Sequence, residues 1–138
     1  MKVKEAMHKG VQSREPSTPL AQIAKLMKSD DIGAVPIIEG GKLIGIVTDR
    51  DIAVRAVAEG RDLNKAVARD VMSAGAICCS EEEDIDKAVR SMEDRKVRRL
   101  PVTNAQKQLV GMLSLGDISH SVGQSVSGEL VKAVSAHH

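Results

Sequence analysis

The chain has 138 residues and a formal net charge of +1, the size of one domain without the basic surplus of a general nucleic-acid binder. It contains no Phe, Tyr or Trp, so the aromatic platforms on which single strands usually stack are excluded, and a base-shaped ligand has to lie between aliphatic side chains. There is no run of eighteen apolar residues and no apolar leader, and the two cysteines, Cys78 and Cys79, are neighbours; a membrane span and a secreted disulfide framework are not expected, and a reducing cytoplasm is.

In chain order, Val11–Arg14 is short and fairly apolar and reads as a strand. Leu20, Ile23, Ala24 and Met27 follow the i, i+3, i+4, i+7 spacing of an amphipathic helix, with Ser17 or Thr18 as a cap and Pro19 in the first turn. Ala34–Ile38 and Leu43–Val47 are strand-length apolar runs separated by Glu39-Gly40-Gly41-Lys42, a hairpin signal. Asp49–Glu59 reads as a helix that Gly60 stops. Ala76–Cys79 begins a second series, followed by four acids, Glu81 to Asp84, at the start of a helix whose dipole favours them. Val126–Ala136 suggests one more helix in a tail, 124–138; His137 and His138 at its end read as native residues or as a tag remnant.

The second series is a copy of the first. Shifted by 65 residues, Lys4-Glu5-Ala6-Met7 meets Arg69-Asp70-Val71-Met72, and Leu20, Ile23, Ala24 and Met27 meet Ile85, Ala88, Val89 and Met92. One inserted residue near Asn104 to Lys107 raises the shift to 66, and Gly45-Ile-Val-Thr-Asp-Arg-Asp-Ile52 then falls on Gly111-Met-Leu-Ser-Leu-Gly-Asp-Ile118. A unit of sixty residues buries a marginal core alone, so two copies, 1–60 and 61–123, are expected to form one compact module. The matched methionines are expected to fill core.

The repeated phrase puts a hydroxyl and, three residues on, a carboxylate at a helix start in each copy: Thr48 with Asp51, and Ser114 with Asp117. That spacing is a capping box. It also suits a ligand, because an acid there accepts hydrogen bonds from a sugar diol while backbone N–H groups favour an anion. Upstream of the second copy's middle strand, Arg98 and Arg99 are a fork-shaped match for phosphate; the first copy has Gly33 and Ala34 instead.

On these residues, together with Ala34-Val35-Pro36-Ile37-Ile38 and Val97-Arg98-Arg99-Leu100-Pro101-Val102, the chain resembles a tandem pair of CBS domains over residues 3 to 122. The resemblance implies an α+β fold of two β-α-β-β-α units about a pseudo-twofold, with two clefts, and a homodimer forming a disc of four units. It implies AMP, ADP or ATP as ligand, with S-adenosylmethionine or a dinucleotide such as NAD less favoured. Thr48, Asp51, Ser114 and Asp117 are then ribose-binding, Arg98 and Arg99 phosphate-binding with Arg50 as helper, and Val11, Ile37, Ile77 and Val102 line the adenine. Because Gly33, Ala34 and Gly116 replace Arg98, Arg99 and Arg50 in the opposite copies, the two clefts are expected to be unequal.

The implied function is a cytoplasmic, non-enzymatic sensor of adenine nucleotides that acts on an unidentified protein. The alternatives are an interaction scaffold with decayed clefts, or an enzyme. Against the last, the sequence shows no nucleophile–base pair and no P-loop, and His8, His120, His137 and His138 lack metal-ligand spacing; neither a catalytic cofactor nor a metal is expected.

Overall fold

The computed structural model describes residues 1–74 and 78–122. It is a mixture of helix and strand: α1 (Val3–Ala6), α2 (Leu20–Asp30), β1 (Ala34–Glu39), β2 (Lys42–Thr48), α3 (Asp49–Asp51) running on as a π-helical stretch (Ile52–Val57), α4 (Ala68–Val71), β3 (Ser73–Ala74), β4 (Cys79–Ser80), α5 (Ile85–Arg95), β5 (Arg99–Thr103), β6 (Leu109–Ser114) and α6 (Leu115–Val122). The helix expected over Val126–Ala136, and Ile77 of the expected adenine lining, lie outside the described residues.

The chain divides into two compact units, and they are not the two sequence copies. A middle unit comprises Gln12–Ala76; a composite unit comprises Met1–Val11 with Ile77–His138. Each holds one three-stranded sheet, β1-β2-β3 in the middle unit and β4-β5-β6 in the composite unit. In the middle unit β1 and β2 are antiparallel, and β3, which belongs to the second sequence copy, adds to the free side of β2 through Gly45↔Ala74 and Ile46↔Ser73. In the composite unit β4 runs parallel to β5, β5 antiparallel to β6, and His8 of the first copy bridges Met112 on β6. Each copy thus gives its opening segment to the other copy's sheet.

The glycine of the repeated phrase exists for this exchange. A Cβ on Gly45 would lie 2.8 Å from Met72 Sδ and 3.0 Å from the Ser73 carbonyl oxygen; one on Gly111 would lie 2.7 Å from Met7 Sδ and 2.9 Å from the His8 carbonyl oxygen. Met7 and Met72 are the matched methionines that follow α1 and α4, and each packs against a core as expected.

Both cores follow the helical spacing read from sequence. Leu20 and Ile23 are fully buried with Val35, Ile37 and Val47 in the middle unit; Ile85, Ala88, Val89 and Met92 are buried with Leu100, Val102 and Leu113 in the composite unit. Each such Val, Leu, Ile or Met side chain contributes about 1.5–3 kcal/mol when fully buried. Both long helices stop at a left-handed residue, Asp31 (φ 53°) and Lys96 (φ 55°), at matched positions.

Three local expectations are corrected. Neither Ser17 nor Thr18 caps α2: the cap position is Pro19, and the N–H groups of Leu20 and Ala21, which have no partner within the helix, donate to the carbonyls of Ala66 (2.9 Å) and Leu63 (3.0 Å), so a returning loop does the work of a side chain. Val11–Arg14 is not a strand; it makes a single parallel bridge, Arg14↔Ile37, the counterpart of β4 on β5. The helix expected over Asp49–Glu59 is α only in its first turn, then widens into the π stretch before Gly60 (φ 73°) ends it. The first hairpin turns on Gly40 (φ 59°) and Gly41 (φ 78°), two adjacent positive angles that suit the twist of a two-residue connection. The second has the extra residue, absorbed by a loop in which Asn104 Oδ1 accepts from the N–H groups of Gln106 and Gln108.

Candidate functional site

Each unit has one corner where the strand ending in the repeated hydroxyl turns into a helix. In the middle unit Thr48 lies opposite Ala34, and the N–H of Asp49 donates to the Gly33 carbonyl at 2.9 Å. Thr48 Oγ1 accepts from the Asp51 N–H at 3.0 Å, and Asp51 Oδ2 accepts from the Thr48 N–H at 2.9 Å. In the composite unit Arg99 lies opposite Ser114, and the N–H of Leu115 donates to the Arg98 carbonyl at 2.8 Å. Ser114 Oγ accepts from the Asp117 N–H at 3.1 Å, and Asp117 Oδ2 accepts from the Ser114 N–H at 3.0 Å. Both copies therefore build the reciprocal capping box.

The box consumes one carboxylate oxygen per corner and leaves Oδ1. The paired oxygen fixes the carboxylate's orientation, so the spare one is held in place for another donor. Among the described residues no buried side-chain oxygen or nitrogen lacks a partner. The spare oxygens are therefore not sealed in the core.

The corners differ in charge. Arg98 is exposed and Arg99 half-buried, both flank Ser114, and among the described residues neither pairs with a carboxylate. In the middle unit those positions are Gly33 and Ala34, and the space a side chain would take at Gly33 is occupied by the carboxylate of Asp49, whose Oδ2 would be 3.1 Å from an added Cβ. The composite unit has Leu115 where Asp49 stands, so one corner carries two free cations and the other an extra anion. Arg50, expected as a helper to Arg98 and Arg99, belongs to the middle unit, and its N–H donates to Asp49 Oδ1 at 2.8 Å.

The expected adenine lining is corrected. Ile37 and Val102 are completely buried against the helices of their own units, because alternation along a strand turns them inward with Val35 and Leu100, and neither presents a surface to a ligand. Val11 is half-buried and belongs to the composite unit. Two residues that sequence reasoning passed over belong to the middle corner. Asp49 is one; its approach to Gly33 leaves no sequence signal. Arg55 is the other; its spacing of four from Asp51 on a helix was the available sign.

Among the described residues no three His, Cys, Asp or Glu side chains converge as a metal site would require. Burial, helped by Glu83, pushes the Cys79 thiol up to about 12, so it is no nucleophile at neutral pH. A cavity of about 380 Å³ lined by Pro16, Ile38, Glu39, Val67 and Arg69 lies at the hairpin end of the middle sheet, the end away from Thr48. Among the described residues no helix is long and apolar enough to cross a membrane.

A family model described as the CBS domain matches residues 3–57 and again 68–123. The chain belongs to the CBS-domain family. It is 38% identical over 117 residues to the CBS domain-containing protein YhcV of Bacillus subtilis, covering 85% of this chain and 82% of that protein. It is 31% identical over 132 residues to hypoxic response protein 1 of Mycobacterium tuberculosis, covering 95% and 92%. The crystal structure of Hypoxic Response Protein I, which holds two coordinated zinc ions, superposes with a TM-score of 0.81 at 32% identity, covering 88% of this chain and 99% of that one. The CBS-domain pair of the protein MJ0100, in complex with 5′-methylthioadenosine and S-adenosyl-L-methionine, superposes with a TM-score of 0.76 at 28% identity, covering 87% and 94%. The α+β fold and the CBS pair expected from sequence are both borne out.

Proposed function

We propose that this CBS pair is a non-enzymatic regulatory module that binds an adenosine-containing ligand, with Asp51 and Asp117 accepting the ribose hydroxyls and Thr48 and Ser114 shaping the corner. The observation that carries it is the duplicated capping box that spends one oxygen of each acid and leaves the other oriented. The adenosine ligands bound by the MJ0100 pair support the same chemistry. Arg98 and Arg99 beside Ser114 favour a phosphorylated nucleoside, AMP, ADP or ATP, at Asp117. Asp49 disfavours phosphate at Asp51, so that corner takes a nucleoside whose other end is neutral or cationic, such as a sulfonium. Ligand binding acts on a partner protein by stabilising one arrangement of the chain over another, and the working form is a homodimer in the cytoplasm.

Absorbance at 260 and 280 nm on the purified chain reveals a carried adenine directly, since the protein has no Trp or Tyr. Calorimetric titration with AMP, ATP and S-adenosylmethionine follows, on the chain and on Asp51→Asn and Asp117→Asn. The phosphorylated ligands are expected to lose affinity mainly with Asp117→Asn. Failure of all three to bind below about 1 mM, roughly −4 kcal/mol, refutes the proposal.

A further inference from the structure

Arg55 is tied to the middle corner by two contacts. Its Nε lies 3.8 Å from Asp51 Oδ1, the oxygen the capping box leaves over. Its Nη1 donates to the carbonyl of Val71, the last residue of α4, at 3.2 Å. One guanidinium therefore joins the spare oxygen of Asp51 to the helix through which the chain leaves this unit, immediately before Met72 takes its seat against Gly45. The stretch that carries Arg55 is π-helical, with the Ala58 N–H donating to the Ala53 carbonyl at 2.9 Å, a geometry that is rare and frequently found at functional sites. Arg55 is half exposed and contributes no core packing, so its contacts say little for a role in stability. At the matching place in the second copy the sequence has Ser121, so this cation has no sequence counterpart beside Asp117.

We propose that Arg55 is a positioning residue for Asp51: it holds the spare oxygen in its ligand-facing orientation and transmits occupancy of that oxygen to α4. The inference rests on the reading of Asp51 as a ribose acceptor.

The test uses the full chain and S-adenosylmethionine as probe, whose sulfonium suits the Asp51 corner, or AMP if only that binds. Arg55→Ala is expected to weaken binding at the Asp51 site on the order of fivefold, and Arg55→Lys, which keeps the charge but not the fork, to recover part of the loss. The Arg55→Ala effect is expected to vanish in an Asp51→Asn background and to persist in Asp117→Asn, a pattern that general destabilisation does not produce. Amide exchange across residues 68–72 is expected to slow on ligand binding in the unmodified chain and not in Arg55→Ala. Arg55→Gln, which keeps most of the stem, replaces Arg55→Ala if the latter melts early. An equal loss with and without Asp51, no loss at all, or binding indifferent to Asp51→Asn overturns the inference and leaves an Asp117 site standing. Failure of the unmodified chain to bind either probe overturns the reading of the corners, and the inference with it.

Discussion

Replacing Gly111 by alanine tests the exchanged architecture directly. A glycine-to-alanine change inside a strand ordinarily helps by about 0.5–1 kcal/mol, because alanine has less backbone freedom to lose. Here the new methyl would sit 2.7 Å from Met7 Sδ and 2.9 Å from the His8 carbonyl oxygen. The thioether can swing aside. The carbonyl cannot, since it accepts from the Met112 N–H at 2.9 Å while His8 donates back to Met112 at 2.8 Å. Making room means forcing the segment off β6 or stretching both bonds, and overpacking of this kind costs about 1–3 kcal/mol. Set against the backbone gain, the expected net change is a loss of about 2 kcal/mol, lowering the melting temperature by roughly 5–10 °C. Far-ultraviolet circular dichroism reads it, as the chain has no aromatic side chains to report by fluorescence. Met7→Ala combined with Gly111→Ala should recover only the thioether's share, a coupling of about 1 kcal/mol. A Gly111→Ala chain that melts with or above the unmodified one, or two changes that merely add, refutes the seating of Met1–Val11 on β6.

Deleting residues 1–8 should strip amide protection from residues 78–118 and leave the middle unit protected, as hydrogen exchange will show, because the missing bridge and the buried Val3 belong to the composite core. Hydrogen bonds from Lys2 and Lys4 hold the Glu82 carboxyl near 2, below its ordinary 4.5. An acid whose pKa is depressed on folding stabilises above its unfolded value, so this anchoring of the N-terminus is present at neutral pH and is lost as pH falls from about 4.5 toward 2. Protection of residues 2–6, corrected for intrinsic exchange, follows that loss, and Glu82→Gln shows it at pH 7. Asp84→Ala, which removes the side-chain acceptor for the Asp86 N–H, should cost about 1 kcal/mol in chemical denaturation. A thiol reagent should label half-buried Cys78 in the folded chain and reach Cys79 only on unfolding, its thiol being pushed up to about 12.

Helices were the most legible part of the sequence. Leu20, Ile23, Ala24 and Met27, and their matches from Ile85 to Met92, repeat with helical spacing, and burial of one face is what that spacing means. Hairpins were legible for the same local reason, through Gly40-Gly41 and the inserted loop near Asn104. The exchange of segments was not legible, since repeat matching shows which residues are alike and not which sheet they join; Gly45 opposite Met72 is a long-range fact. The hydroxyl–acid boxes were readable because both partners lie within four residues. The adenine lining failed where the strand face had to be known: Ile37 and Val102 point into the cores. Asp49 against Gly33 is formed by the corner itself and has no sequence trace.

The traded segments also bear on how the chain can be cut and copied. A break at Gly60 falls between the sequence copies but separates each sheet from a segment it needs, since β3 travels with the second fragment and the His8 bridge with the first. Neither half is complete in isolation, yet each carries the piece the other lacks, so the two fragments made together should reassociate as complementing halves. The same reciprocity gives two intact chains a ready route to trade ends. A duplication wired in this way is not easily undone: losing either copy leaves the survivor with an open sheet edge and an empty methionine seat beside its glycine.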